Sequence, residues 1–180
     1  MDTHPVTSYG FAKDVLRKSL EILQSKKTFT LQWIRLFYMY GEGQNPNCLL
    51  SQLDRALDEG RETFEMSFGD QLRDYLPIET VARCFDWVLS HPNMHGVINC
   101  CNGKPISILD LVNQHLDRRC GRIRLMRGHY PYPDYEPLAF WGTPNKLRQA
   151  KFDLGYELNP ISWKTKNREK LDQLVKNTET

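Results

Sequence analysis

The amino-acid sequence predicts an α/β protein that contains some parallel sheet. Segments with the apolar spacing of helices alternate along the chain with short runs of branched and aromatic residues, as strands and helices alternate in α/β folds. One run, residues 29–40 (FTLQWIRLFYMY), is apolar on both faces at its centre, which is typical of a buried parallel strand. Only GVINCC, at residues 96–101, is a convincing parallel partner for it. We therefore expect the sheet to be incomplete within this chain, with an exposed apolar edge.

Length and composition are those of a globular domain. The chain has 180 residues, of which 40% are hydrophobic and 26% charged, enough for one domain with a real core. The net charge of +2, with both signs interspersed, argues against a nucleic-acid partner. No apolar run reaches the length of a membrane span, and the N-terminus lacks a signal-peptide core. The five cysteines form no C-x-x-C pair, so we predict no metal site and a cytoplasmic protein with reduced thiols.

Helices are predicted from apolar residues at helical spacing. The first helix, residues 8–25, carries an apolar stripe of Phe11, Val15, Leu16, Leu20 and Leu23. Further helices are predicted over residues 47–59, 79–90, 144–151 and 161–176, and after Ser107. Ser107 and Asp110 resemble a capping box with Asp in the place of the usual Glu.

Strands are predicted where branched and aromatic residues cluster between turn residues. Besides the two strands above, TFEMS (63–67) and RDYLPIE (73–79) are expected to form short strands around a turn at Gly69–Asp70. RIRLMRG (122–128) alternates like a strand. The segment HYPYPDYEPLAFWGTP (129–144), rich in proline and aromatic residues, is expected to be an ordered loop.

Tyr9 and Lys13 lie four residues apart at the start of the first predicted helix. Residues at this spacing share one face of a helix, so the pair could form a catalytic site. Alternatively, the two are a surface tyrosine and lysine brought together by composition alone. Taken by itself the pair favours the second interpretation, and the rest of the chain has to decide.

Five segments in order resemble the second half of the extended short-chain dehydrogenase/reductase family, the NAD(P)-dependent nucleotide-sugar epimerases, dehydratases and reductases. The first is YGFAK (9–13), which is similar to the Y-x-x-x-K site of that family. The others are IRLFYMYGEGQ (34–44), GDQLRDYLPIETVA (69–82), GVINCCNGKPISILDLV (96–112) and NKLRQAKFDLGYELNP (145–160). Each motif is weak alone, but five in order favour catalysis by Tyr9 and Lys13.

The resemblance implies a fold and a division of the chain. The fold would be the second half of an incomplete Rossmann-like parallel sheet, with a small mixed α/β substrate-binding part. Residues 1–45 and about 78–106 would belong to the Rossmann-like part. Residues of about 46–77 and 107–180 would form the substrate-binding part, interleaved with the first.

The resemblance also implies roles for individual residues. Tyr9 would be the catalytic acid/base, and Lys13 would favour its phenolate form and bind the nicotinamide ribose of NAD or NADP. Tyr40 would lie near the nicotinamide. Arg73 would bind the diphosphate of a nucleoside-diphosphate sugar, because a guanidinium matches phosphate geometry, although an ion pair with Asp74 or Glu79 is the alternative. Substrate-binding positions are Tyr38, where many members have Asn, Gln44 and Arg73.

The late loop adds two weaker expectations. Family members often carry a second phosphate-binding arginine there, whereas this chain has aromatic residues in the loop and Arg124 and Arg127 upstream of it. Phe140 and Trp141 are candidate pocket walls, or simply the packed core of the loop. The loop resembles most the loop of 4-keto-6-deoxy-sugar reductases.

The glycine-rich phosphate loop of the family, G-x-x-G-x-x-G, is absent from the sequence. The nearest segment is GEGQNP (41–46), which has Pro46 in place of the third glycine and is interpreted as a family Y-G-x-x-Q turn. The family's catalytic Ser/Thr would also lie upstream of Tyr9. We therefore expect either a truncated or split product, or an N-terminal half supplied separately, and doubt that this chain alone binds the cofactor. The resemblance also implies a homodimer as an alternative to the separate half. The alternative function is that of a non-catalytic remnant or a nucleotide-sugar-binding module.

Overall fold

The computed structural model describes residues 3–154. Its helices are α1 (Ser8–Gln24), α2 (Leu49–Asp58), α3 (Ile78–Leu89), α4 (Ile108–Arg119) and α5 (Asn145–Gln149). Its strands are β1 (Gln32–Leu36), β2 (Tyr38–Tyr40), β3 (Thr63–Met66), β4 (Leu72–Arg73), β5 (Tyr75–Pro77), β6 (Gly96–Cys100), β7 (Ile106–Ser107), β8 (Arg124–Arg127) and β9 (Ala139–Phe140). The predicted α/β class is confirmed, and the predicted helix over 161–176 lies outside the described residues.

The helix starts and ends follow from their sequences. Ser107 caps α4, because its side chain accepts a hydrogen bond of 3.0 Å from the backbone N–H of Asp110. Thr7 caps α1 in the same way, with a hydrogen bond of 3.1 Å from Gly10 N–H. The four predicted helices that the structure describes from end to end begin and end within two residues of the predicted bounds.

Strands β1 and β6 pair in parallel and form a two-stranded sheet. The register aligns Trp33 with Val97 and Ile34 with Ile98, as expected for FTLQWIRLFYMY beside GVINCC. The prediction of one strand over residues 29–40 was wrong in one respect. The segment divides at Phe37, because β2 leaves β1 to pair in parallel with β5, with Tyr38 opposite Tyr75.

The remaining strands form short pairs far apart in sequence. β3 pairs in parallel with β8, and β4 lies between the antiparallel β7 and the parallel β9. TFEMS contains β3 as predicted, whereas RDYLPIE divides at Asp74 between β4 and β5 and its last two residues begin α3. The predicted strands do not pair with each other across Gly69–Asp70: β3 and β4 pair with strands from the second half of the chain, and β5 pairs with β2. Gly69, at a φ of +81°, packs against Leu109.

Two apolar clusters hold these elements together. One joins α2, β3 and α4, through Leu53, Phe64, Leu111 and Val112 among others. The other lies between α3 and the β1–β6 pair and includes Val81, Cys84, Val88, Ile98 and Leu147. The division into two interleaved parts stays a prediction. The apolar stripe of α1 enters neither cluster.

Candidate functional site

The first turns of α1 present Tyr9 and Lys13 to solvent on one helix face. The Tyr9 side chain is 74% exposed, and the Lys13 Nζ lies 5.6 Å from the centre of the Tyr9 ring. Neither side chain has a hydrogen bond or ion pair with any other described residue. The structure thus brings the two predicted residues together at an open surface. The phenol and the ammonium are therefore both accessible to a bound molecule.

A charged network fixes the helix beneath this pair. Arg17 is buried and contacts Asp14 at 2.9 Å and Glu21 at 2.5 Å. Asp14 also accepts a short hydrogen bond from Thr3 and an ion pair from Lys18 at 2.8 Å. Hydrogen bonds from Lys18, Thr3 and Arg17 hold the pKa of the Asp14 carboxyl well below its usual range. The segment before α1 is therefore tied to the helix that carries Tyr9.

An open cavity of about 370 Å³ lies between α1 and β1. Its lining includes Lys13, Arg17, Trp33 and Arg35. Arg35 is half-buried on β1 and has no hydrogen-bond or ion-pair partner in the part of the chain that the structure describes. An arginine in a strand normally finds such a partner when it is buried. The face of β1 toward α1 is thus incompletely covered by residues 3–154.

Exposed apolar side chains extend the uncovered region along α1. Phe11 is 62% exposed, and Val15, Leu16, Ile22 and Leu23 are also exposed. Single exposed apolar residues are ordinary, but a contiguous stripe on one helix is typical of a surface that binds another polypeptide. The stripe predicted from the sequence therefore faces solvent among the described residues.

Arg73 lies in a second group, buried rather than open. Its side chain is only 2% exposed, and its guanidinium donates 2.9 Å and 3.3 Å hydrogen bonds to the carbonyls of Leu72 and Leu138. It also forms an ion pair of 3.1 Å with Glu136. The alternative partners weighed from the sequence, Asp74 and Glu79, do not contact it.

Aromatic rings surround Arg73. The Arg73 guanidinium lies 5.6 Å from the ring centre of Tyr38, whose ring is 5.3 Å from that of Tyr75. Phe140 is opposite Arg73 in the β4–β9 register and stacks on Phe37 at 5.2 Å. The structure thus brings Tyr38, Arg73 and Phe140 together, whereas Trp141 is half-buried beside them along the chain. Burial raises the pKa of the Tyr75 hydroxyl well above its usual range, so Tyr75 is a neutral wall.

Asp74 organises the loops beside Arg73. Its carboxylate is fully buried and accepts hydrogen bonds from the backbone N–H groups of Asn102 at 2.7 Å and Gly103 at 2.8 Å. The N–H of Gly142 lies 3.5 Å from the same carboxylate. Burial raises the pKa of the Asp74 carboxyl, although these N–H donors oppose the shift. Asp74 therefore joins the β6–β7 turn to the end of the late loop.

Packing explains why the first residue of the GEGQ turn, Gly41, is a glycine. A Cβ on Gly41 would come within 2.5 Å of the Ile78 Cγ2, so only glycine fits there. Gln44 reaches back to the Met39 carbonyl at 3.4 Å, and Tyr40 lies at the end of β2 with its ring 6.4 Å from Tyr75. These contacts support the interpretation of the segment as a strand-to-helix turn. They provide no reason to regard it as a phosphate loop.

No hydrogen bond, ion pair or ring contact between described residues joins the Tyr9–Lys13 pair to the Tyr38–Arg73 group.

Two residues beside Arg73, Glu136 and Gln71, were not predicted from the sequence. They meet at Arg73, with Gln71 Nε2 3.5 Å from Glu136 Oε2. No local signal could have found Glu136, because the same loop also contains Asp134 and the burial of Arg73 is known only from the structure. Of the two upstream arginines, Arg127 donates to the Phe68 carbonyl and Arg124 is exposed.

The described residues contain no group of three His, Cys, Asp or Glu side chains placed to hold a metal ion. Their cysteines are free thiols. Burial raises the pKa of the Cys101 thiol to about 12, so it is a protonated, unreactive group. None of the helices in residues 3–154 combines the length and apolarity needed to cross a membrane.

Comparison with known proteins gives one family and a consistent fold. The sequence profile of the NAD dependent epimerase/dehydratase family matches residues 1–101, which is more than half of the chain. Among individual proteins, the dTDP-6-deoxy-L-talose 4-dehydrogenase (NAD(+)) of Aggregatibacter actinomycetemcomitans is 27% identical over 142 residues. That alignment covers 78% of this chain and 52% of the dehydrogenase.

Two solved structures show the same fold at lower identity. The UDP-N-acetylglucosamine 4-epimerase of Methanobrevibacter ruminantium, in complex with UDP-N-acetylmuramic acid, has a TM-score of 0.75 at 16% identity. It matches 98% of this chain and 56% of its own. The UDP-glucuronic acid 4-epimerase of Bacillus cereus, in complex with UDP-glucuronic acid and NAD, has a TM-score of 0.71 at 21% identity, over 85% of this chain and 49% of its own. The chain spans about half the length of each of these three proteins.

Proposed function

The chain belongs to the NAD dependent epimerase/dehydratase family, and from that premise we propose that it is the substrate-side half of an NAD(P)-dependent nucleotide-sugar oxidoreductase or epimerase. The observation that carries this proposal is the Tyr9–Lys13 pair, with both side chains free and 5.6 Å between the Lys13 Nζ and the Tyr9 ring centre. A 4-keto-6-deoxy-sugar reductase is the specific reaction that we favour. The similarity to a dTDP-6-deoxy-L-talose 4-dehydrogenase supports this choice.

Tyr9 is the proton-transferring group in this proposal. Oxidation of a sugar carbinol removes a hydride from carbon and a proton from the hydroxyl, and reduction of the ketone returns both. When bound, the nicotinamide accepts or supplies the hydride. Tyr9, as phenolate, takes the hydroxyl proton, and as phenol it returns that proton to the ketone oxygen. Lys13, whose ammonium lies 5.6 Å from the Tyr9 ring centre, binds the nicotinamide ribose in this proposal.

Arg73 binds the diphosphate of the nucleotide sugar in this proposal. A guanidinium can hold two phosphate oxygens at once, which a single ammonium cannot do. Tyr38 lies against the Arg73 guanidinium and Phe140 is opposite Arg73 in the strand register, which supports a substrate site here. Gln44, the third predicted substrate position, bonds to the Met39 carbonyl in the adjoining turn. Tyr38 stands where many family members carry Asn, so the sugar contacts of this chain differ from theirs.

The residues present fit only one end of the dinucleotide. Lys13 can bind a ribose hydroxyl, and the Tyr40–Gly41 turn can border the nicotinamide. The pyrophosphate of a dinucleotide requires backbone N–H groups of a glycine-rich turn at a helix start. The glycines of GEGQNP do not supply such a cradle, since Gly41 is occupied with Ile78. The other end of the cofactor must therefore be held by residues outside this chain.

A separately supplied N-terminal half is the partner that completes the site. Three features support such a partner: the open cavity between α1 and β1, Arg35 without a partner among the described residues, and the exposed stripe of α1. The sequence coverage of about half of each relative agrees with the same arrangement.

A nucleotide-sugar-binding module without catalysis is the second candidate. One observation favours it: the substrate-side residues Tyr38 and Arg73 pack together within the described residues, whereas the Tyr9–Lys13 pair is open to solvent. A protein of this kind would bind a nucleotide sugar through Arg73 and would not turn it over.

Reconstitution distinguishes the two candidates. The first half of the talose dehydrogenase relative is co-expressed with this chain, and the purified mixture is given NAD⁺ and dTDP-6-deoxy-L-talose. Catalysis predicts NADH formation that requires both polypeptides. Binding of the sugar nucleotide by this chain, with no turnover in any reconstituted complex, would favour the binding module.

A further inference from the structure

The segment 129–138, called here the lid segment, is held to the body of the protein by its two ends. At one end the His129 N–H donates a hydrogen bond of 3.0 Å to the Met66 carbonyl. At the other end the Leu72 N–H donates one of 2.8 Å to the Leu138 carbonyl. Among the described residues, no backbone-to-backbone hydrogen bond joins residues 130–137 to the body between these two anchors. The middle of the lid segment can therefore separate without breaking the sheet.

Side chains alone attach the middle of the lid segment. Tyr130 OH donates to Glu65 at 3.2 Å, and Tyr132 OH makes a short hydrogen bond with Asp70. These two contacts are at the surface and are exchangeable with water. The third attachment is Glu136, and it differs from the others because it reaches a buried cation.

Glu136 closes the route from solvent to Arg73. Its carboxylate lies 3.1 Å from Arg73 and 3.5 Å from the Gln71 amide, and its side chain is 35% exposed while that of Arg73 is 2% exposed. The remaining Arg73 hydrogen bonds go to the carbonyls of Leu72 and Leu138, within and behind the strand pair. The only anion on the guanidinium, among the described residues, is thus one that the lid segment itself supplies.

From this arrangement we infer that Glu136 is a latch: it occupies the anion position of Arg73 and must leave before a diphosphate can bind there. The inference rests on the proposed role of Arg73 in the previous section. A diphosphate on the side of the guanidinium that Glu136 contacts would place like charges next to each other, which disfavours binding both at once. Each incoming diphosphate therefore displaces Glu136 and opens the lid segment, and the ion pair sets a threshold that a weakly charged ligand does not pass.

This latch makes a specific demand on the ligand. A diphosphate carries enough charge and oxygens to replace the ion pair and to form a bidentate contact. A nucleoside carries neither and leaves the latch closed. Glu136 therefore holds the guanidinium only while the ligand is absent, and it selects for ligands with enough negative charge to displace it.

The test compares binding of UDP and uridine to the full chain by calorimetry, for four proteins. They are the unaltered chain, Glu136→Gln, Arg73→Lys and the control Asp134→Asn. Asp134 is exposed in the same lid segment, and its substitution removes the same charge without touching Arg73. Hydrogen exchange of residues 129–138 is measured on the same samples as a readout that needs no ligand.

We expect Glu136→Gln to bind UDP about tenfold more tightly, the factor that one charge-assisted hydrogen bond is worth at the least. The lid segment of this variant should exchange faster, uridine should bind to none of the proteins, and Asp134→Asn should match the unaltered chain. If Arg73→Lys weakens UDP binding while Glu136→Gln binds no more tightly and exchanges no faster, only the latch is overturned. If Arg73→Lys binds UDP as well as the unaltered chain, or if no variant binds UDP, the proposed role of Arg73 is overturned and the latch with it.

Discussion

The ammonium Nζ of Lys13 lies 5.6 Å from the centre of the Tyr9 ring, one helical turn along α1. A cation at this distance from an aromatic face is attracted to it, so the two side chains stay together even at an exposed helix start. Thr7 fixes where the helix begins, and the Asp14–Arg17 pair fixes the turn that follows. The pair is thus held in place by contacts within α1 and the segment before it.

The apolar stripe of α1 predicts association of the isolated chain. Phe11 and Leu16 are exposed beside an incompletely covered β1, and burying them against another molecule is favourable. We expect sedimentation to show dimers or larger species, and co-expression with the first half of a relative to reduce them. The double variant Phe11→Glu and Leu16→Lys should sediment closer to a monomer.

A matched control separates this effect from a general gain in charge. Leu89→Lys removes a side chain that is more exposed than Phe11 or Leu16, at the end of α3 rather than on α1. It should leave the association unchanged. A stable, cooperatively folding monomer in the unaltered chain would contradict the prediction.

The isolated chain should bind NADH or NADPH very weakly. The backbone donors that hold a dinucleotide pyrophosphate at a helix start are absent from its sequence, and Gly41 is used in packing against Ile78. Titration followed by the fluorescence of the reduced nicotinamide should show no saturation at concentrations of tens of micromolar, on the order of usual cofactor affinities. Saturable micromolar binding would instead favour GEGQNP as a phosphate loop.

Substitution of Asp74 should destabilise the fold in a pH-dependent manner. Asp74→Asn replaces an acceptor oxygen by a donor that faces backbone N–H groups, at a cost of about 1–3 kcal/mol. Burial raises the folded-state pKa of the Asp74 carboxyl. Its contribution to stability is therefore fully present below the unfolded pKa and is lost as the pH rises through the folded pKa. Denaturant unfolding should show a larger loss for Asp74→Asn near pH 4 than near pH 8.

Asp70 provides the control for that measurement. It lies four residues before Asp74 and is exposed, and within residues 3–154 its carboxylate bonds only to Tyr132 of the lid segment. Asp70→Asn should cost much less stability. A loss for Asp74→Asn that is equal at both pH values would show that burial does not shift its titration as described.

The helices could be predicted from the sequence because their determinants are local. The stripe of α1, the Ser107 cap of α4 and the turn residues after each helix lie within a few positions of one another. The parallel pairing of β1 with β6 was also accessible, since both segments are apolar runs and each is the only convincing partner of the other.

What could not be predicted depends on distant pairs. The division of residues 29–40 at Phe37 results from β5, which draws β2 away from β1. The ion pair of Arg73 joins residues 63 positions apart, and local pattern gives no preference for Glu136 over Asp74 or Glu79. At the site, the spacing of Tyr9 and Lys13 predicted that they share one face of α1. Of the predicted substrate positions, Tyr38 lies beside Arg73, whereas Gln44 contacts the Met39 carbonyl. No sequence pattern predicted that Arg73 would be closed off by its own loop.

The central claim is that Tyr9 transfers the proton in a reconstituted enzyme. The measurement that tests it most directly is the turnover number of a complex between this chain and the first half of a relative, with Tyr9→Phe beside the control Tyr135→Phe. Both substitutions remove one exposed hydroxyl, and Tyr135 has no hydrogen-bond partner among the described residues. We expect the turnover number to fall by at least about a hundredfold for Tyr9→Phe, the scale of general acid–base catalysis, and to be unchanged for Tyr135→Phe. A Tyr9→Phe complex as active as the control would contradict it and return the Tyr9–Lys13 pair to a coincidence of composition.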